Sequence, residues 1–251
     1  MEPRDGLRRV TVERREHAEV WCEVADSRDG SGRAEAPCAN VTVMSSAKPP
    51  MLYDYSGFPP EAYRLTWPAP GNPVLAGRVR DLLSGAGFST AEDTKRGYDH
   101  GTFVPLKVAF PDADIPVVQL SMLQGLSPDE HLKMGRALAP LRDEGVLIIG
   151  SGNSFHNMGV FREEISAPTP RARERAAQFD EWLQEAVAAD PTVRDRRLLS
   201  WEQAPHGRYA HPREEHLIPL MFVAGAAGGD RGTTTWSGSL AGLKISGFRF
   251  G

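Results

Sequence analysis

Residues 145–156, Gly145-Val146-Leu147-Ile148-Ile149-Gly150-Ser151-Gly152-Asn153-Ser154-Phe155-His156, decide how this chain is read. Four apolar residues bounded by glycines have the length and branching of a short buried strand. A glycine-rich turn follows, and then a histidine. In open α/β sheets ligands gather beyond the carboxyl ends of strands, so His156 stands where chemistry is usually found. A histidine there can also be a surface or capping group. The turn superficially resembles a dinucleotide loop, but it lacks the third glycine and the acidic residue about twenty positions on that reads a ribose.

Working outward, strand and helix signals alternate. Asn72-Pro73 is an N-cap followed by proline in the first turn, with Leu75, Val79, Leu82 and Leu83 at helical spacing. Residues 115–120 form a continuous apolar strand candidate. Ser127-Pro128-Asp129-Glu130 is a capping box whose helix is expected to end at Gly145. Thr169-Pro170 opens a long amphipathic helix reaching Ala189. His211-Pro212 is expected to open another, with Leu217, Leu220, Met221 and Val223 inside. Residues 233–250 read as a terminal hairpin. The alternation predicts an α/β fold with a mostly parallel central sheet flanked by helices.

The chain has 251 residues and a formal net charge of −4, which offers no electrostatic footprint for nucleic acid. Its apolar runs are too short or too interrupted for a membrane span. There is no basic-then-apolar leader pattern. Two cysteines do not make a disulfide framework, so the expected location is the cytoplasm. Residues 1–40 differ from the rest: sixteen of the forty are Asp, Glu or Arg and none is Lys. They carry no sustained helical or strand period. The expected organisation is a divergent, loosely docked head over 1–40, with at most a short strand at 8–12, and a domain over 41–251.

The residues with chemical potential are histidines. His100 sits in a loop beside Asp99 and is followed by Gly101. His216 falls on the first turns of the helix drawn from Pro212, before a strongly apolar face. His211 reads as a cap or a solvent-facing group, and His131 as a surface residue of a regular helix. Glu214-Glu215 reads as a charge match to a helix N-terminus. No zinc-spaced cysteines, HExxH, P-loop or nucleophile elbow occur. Residue patterns alone thus reach an α/β protein whose histidines could converge on a hard or borderline metal.

Six segments together carry a resemblance: Leu52-Tyr53-Asp54-Tyr55-Ser56-Gly57-Phe58-Pro59, Trp67-Pro68-Ala69-Pro70-Gly71-Asn72-Pro73, Tyr98-Asp99-His100-Gly101, Pro111-Asp112-Ala113-Asp114-Ile115-Pro116, Gly150-Ser151-Gly152-Asn153 with His156-Asn157, and Glu215-His216-Leu217-Ile218-Pro219-Leu220. In this order they resemble the class III, LigB-type extradiol ring-cleavage dioxygenases, in the branch similar to 4,5-DOPA dioxygenase. The resemblance implies a non-haem metal enzyme that opens a small catechol with O2, as a monomer or homodimer, using Fe(II) in the active form, with Zn also able to occupy the site. It implies that His216 is a metal ligand and that His156 is a ligand or acid–base catalyst. It implies that His100 handles substrate protons, with Asp99 placed to orient it. One departure is large. Family members begin with a strand ending in a His-Gly-Ser-Pro-like motif and a second ending in Ser-Ala-His-Trp, whose histidines are the first two metal ligands; neither occurs here. Residues 1–40 stand in place of the first βαβ stretch, and the abrupt break at Asn40–Val41 suggests a shifted reading frame, a wrong gene model or an alternative start. The alternative expectation is therefore an inactive α/β remnant of the family with an incomplete metal site.

Overall fold

The computed structural model describes residues 40–251 and, for the backbone alone, residues 19–23. The chain runs β1 (Glu19–Glu23), β2 (Val41–Met44), α1 (Pro73–Gly85), β3 (Thr90–Asp93), α2 (His100–Ala109), β4 (Val117–Ser121), α3 (Pro128–Leu138), α4 (Pro140–Asp143), β5 (Leu147–Gly150), α5 (Met158–Ser166), α6 (Pro170–Ala188), α7 (Pro191–Leu199), α8 (Gly207–Ala210), α9 (Ile218–Ala226), β6 (Gly232–Leu240) and β7 (Leu243–Phe250). Three helices start at the caps the sequence marks. Asn72 Oδ1 accepts from the Leu75 N–H at 3.0 Å, Ser127 Oγ from Glu130 and Thr169 Oγ1 from Ala172, each with proline in the first turn. The helix expected to run from Pro128 to Gly145 is broken in two at Pro140, which has no N–H to continue the ladder.

Five strands form one sheet in the order β3-β2-β4-β1-β5. β1 lies parallel to both β4 and β5, and β2 is parallel to β3; β2 meets β4 antiparallel through the single pair Val43 and Leu120. The sheet is mostly parallel, as expected. Residues 19–23 show no strand pattern in the sequence, yet they form the strand between β4 and β5, with Val20 in register with Val118 and Ile148. Five residues are too few for a period to show. The strand considered at 8–12 lies outside the described residues. β5 is an end strand of this sheet rather than a buried one, and Leu147 is 45% exposed.

Three apolar clusters hold the layers. One face of the sheet packs Val41, Val43, Val118 and Leu120 against Val79, Leu83, Met134, Leu138 and Phe222 from α1, α3 and α9. The other face carries Met44 and Val117 under Trp67, Tyr98 and Phe103. A third cluster lies beyond α9, where Met221 and Ala224 meet Phe179 and Leu183 of α6 and Leu243 of the β6–β7 hairpin. α9 is therefore apolar all round because it is buried on both sides. It crosses α3 so closely that a Cβ on Gly225 would lie 2.1 Å from the Leu132 carbonyl oxygen. Among the described residues, no helix is long and apolar enough to cross a membrane.

Candidate active site

The turn after β5 is pinned against the segment that precedes α9. The Asn153 N–H donates to the His216 carbonyl at 3.1 Å, and the His156 N–H donates to the Ala210 carbonyl at 3.0 Å. Gly152 makes this approach possible, since a Cβ there would lie 2.2 Å from the His216 oxygen. The helix expected to open at Pro212 begins instead at Ile218, and His216 sits in the turn before it. Pro219 explains the difference: inside a longer helix its ring would clash with the Glu215 carbonyl, whereas in a first turn it is accommodated.

This clamp brings together two residues 60 positions apart in sequence. The rings of His156 and His216 lie 3.5 Å apart between centroids, tilted by 32°. Glu215 Oε1 is 3.5 Å from His156 Nδ1. One donor atom from each of His156, Glu215 and His216 falls within 4.8 Å of the others. Glu215, which the sequence pattern presents as a helix charge match, instead contributes a donor atom to this cluster.

The chemistry of these donors fits a divalent cation. Burial drives the His216 pKa down to about 3, helped by the neighbouring His156, His211 and His100, and burial also lowers that of His156 against the pull of Glu215. Both imidazoles are thus neutral at physiological pH, with lone pairs free to bind metal. Glu215 Oε2 is buried without a hydrogen bond, its nearest cation being Arg213 Nε at 3.7 Å. A buried carboxylate oxygen left unpaired is costly unless something takes it up.

His100 is the first residue of α2 and close enough to His216 to lower its pKa. The expected partner of His100, Asp99, is turned away. Its buried carboxylate accepts from Gln119 Nε2 at 2.6 Å and Arg96 Nη2 at 3.0 Å. The orienting contact comes from Asp54, whose Oδ1 receives both the His100 backbone N–H at 3.0 Å and Nδ1 at 2.8 Å. That hydrogen bond raises the His100 pKa against burial, with a smaller contribution from the Asp99 charge. Burial presses the Asp54 carboxyl upward, and the His100 donors more than offset it. α2 is tied to the β5 turn through a side effect of Pro105. A proline within a helix leaves the carbonyl four residues back unpaired, and Ser151 Oγ donates to that oxygen, on Gly101, at 2.9 Å.

Two other histidines differ from expectation. His131, expected at the surface, is fully buried: Nδ1 donates to the Ser127 carbonyl at 2.7 Å and Nε2 accepts from the Leu123 N–H at 3.1 Å. His211, expected to cap or face solvent, is also fully buried, wedged edge-on against Phe179 and Trp201. Its Nε2 donates to the Ser154 carbonyl at 3.0 Å, and burial pushes its pKa down to about 4. Both are structural. His17 lies outside the described residues.

A mostly parallel α/β sheet with a two-histidine, one-carboxylate cluster beyond a strand end is the setting of a candidate metal site. Comparison with known proteins makes this specific. The family described as catalytic LigB subunit of aromatic ring-opening dioxygenase matches residues 36–247. The chain is 42% identical over 195 residues to the 4,5-DOPA dioxygenase extradiol of Beta vulgaris, covering 77% of this chain and 69% of that protein. It is 36% identical, with the same two coverages, to the 4,5-DOPA dioxygenase extradiol of Escherichia coli K12. The crystal structure of an uncharacterised Escherichia coli K12 protein superposes with a TM-score of 0.71 at 29% identity, over 93% of this chain and 86% of that one. The chain belongs to the LigB family and is, by this resemblance, an extradiol ring-opening dioxygenase.

Proposed function

We propose that this chain opens the ring of a small catechol, DOPA or a near relative, with dioxygen, and that residues 41–251, with β1 completing their sheet, form its catalytic domain. The observation that supports this most directly is the convergence of His156, Glu215 and His216 beyond β5. The names of the relatives support the substrate class. The three donors would hold iron(II) in the working enzyme and would also accept zinc, since imidazole suits both. Iron held there supplies the electron exchange between catechol and dioxygen.

The remaining work falls to side chains. A catechol must lose hydroxyl protons before its ring is electron-rich enough to react, and in this reading His100 accepts one. Its ring is 45% exposed, so a substrate hydroxyl can reach it. Asp99 contributes through its charge, which favours the protonated His100 that results. His156, neutral and half-buried, can serve as a ligand or pass a second proton during ring opening. The turn from Gly150 to Asn153 ties α2 to the segment before α9, Ser151 Oγ donating to the Gly101 carbonyl and the Asn153 N–H to the His216 carbonyl.

A second reading, an inactive relative that binds a catechol at most, is favoured by one observation: neither N-terminal histidine motif of the family is in the chain. Reconstitution with Fe(II) without oxygen, followed by DOPA, caffeate or protocatechuate in air, separates the two. Ring opening gives one O2 consumed per yellow product, lost in His156→Ala and His216→Ala. No uptake by folded, iron-loaded protein establishes the inactive reading.

A further inference from the structure

We infer that Asp54 is a positioning residue that holds His100 as the Nδ1–H tautomer and leaves Nε2 as the open proton acceptor of the site. An ionised carboxylate only accepts hydrogen bonds, so the 2.8 Å contact to Asp54 Oδ1 requires the proton to be on Nδ1. The same oxygen takes the His100 backbone N–H, which fixes the ring relative to its own main chain. No described residue bonds Nε2. Asp54 is itself held from a distance. It lies between Tyr53, whose hydroxyl donates to the Leu65 carbonyl at 2.6 Å, and Tyr55, whose hydroxyl donates to the Ala62 carbonyl at 2.6 Å. Those two bonds fold the segment back on itself. The Tyr53 ring then stands edge-on to Phe103 at 5.8 Å and the Tyr55 ring edge-on to His100 at 6.0 Å, so the segment is seated on α2. The arrangement has the logic of a carboxylate orienting an imidazole for base catalysis.

A plainer role for Asp54 would be to cap the first N–H of α2. Capping alone accounts for the backbone contact but is indifferent to the tautomer. The inference rests on the ring-opening reading only for the source of the proton; the tautomer itself does not depend on it.

The test is two-bond 15N–1H NMR on the full chain labelled at histidine, with His100 assigned from His100→Gln and the pH set near 9 so that the imidazole is neutral. The wild type should show His100 protonated at Nδ1. Asp54→Ala should revert it towards the Nε2–H form that free imidazoles prefer. Asp54→Asn, which keeps an oxygen acceptor, should retain most of the Nδ1–H form and keeps the measurement available if the alanine variant does not fold. With catechol, Asp54→Ala should lower kcat by about 10²- to 10⁴-fold with little change in KM, and the asparagine variant should recover part of the loss. An Nε2–H tautomer in the wild type overturns the inference. So does a loss of stability in Asp54→Ala with the tautomer unchanged, which is the capping role. A wild-type chain that shows the stated tautomer and its reversal, yet opens no ring, upholds the positioning by Asp54 and counts against the ring-opening reading alone.

Discussion

Gly152 and the carbonyl of His216 are so close that a Cβ at 152 would sit 2.2 Å from that oxygen. Both partners are main chain, so no side chain can swing aside to relieve the contact. Gly152→Ala should push the β5 turn off the pre-α9 segment and separate His156 from His216, weakening zinc binding by about tenfold or more by calorimetric titration. Gly77→Ala is the matched control. Its Cβ meets nothing within 4 Å inside α1, and it should raise stability by about 0.5–1 kcal/mol with metal affinity unchanged.

Glu215→Gln should weaken zinc binding by about 10- to 100-fold, because an amide oxygen replaces the carboxylate in the donor set. Its neighbour Glu214 instead accepts from Arg208 at 2.6 Å. Glu214→Gln should leave the affinity within about twofold, and equal effects of the two substitutions would exclude Glu215 from the site.

Stability should fall as the medium is acidified, and His211 sets much of the window. Its pKa is about 4 in the folded chain against an ordinary value of 6.5. Between those values the unfolded chain binds a proton that the folded chain refuses. The contribution is therefore complete above about pH 6.5 and is lost as the pH falls towards 4, by roughly 3 kcal/mol for this residue. His216, lowered further, acts in the same direction. Urea midpoints at neutral pH and near pH 5 would show the slope, and His211→Gln should flatten it.

Ser151 and Pro105 form a compensating pair. Ser151→Ala strands the Gly101 carbonyl and should cost about 1 kcal/mol. With Pro105→Ala in the same chain, the restored N–H of residue 105 can take up that oxygen. The double variant should lose less than the sum of the two singles, and strict additivity in a urea double-mutant cycle would refute the link.

Sequence alone carried the parts of this site that lie close together in the chain. The cap at Ser127-Pro128, the strand before Gly150 and the histidine after the glycine turn could each be read locally. Asp54 could not, because 46 residues separate it from His100 and only the folded-back tyrosine segment brings it there. Glu215 is obscured because His211-Pro212 looks like a helix start, whereas Pro219 is the signal that the helix begins later, at Ile218. His131 was misplaced for a different reason. Positions 131, 134, 135 and 138 share one helical face, and that face is the buried one. A polar residue on it is tolerated because both ring nitrogens find main-chain partners.

The middle position of β1 has a practical bearing on how the protein is handled. β4 and β5 do not pair with each other; each pairs with β1. A clone trimmed to start at Val41, which the amino-acid composition invites, would leave β4 and β5 facing a strand-wide gap with two unpaired backbone rims. Such rims seek strands from other molecules, so the shortened product should precipitate or exchange segments between copies. Expression designs that begin upstream of Glu19 retain the strand that joins the two halves of the sheet.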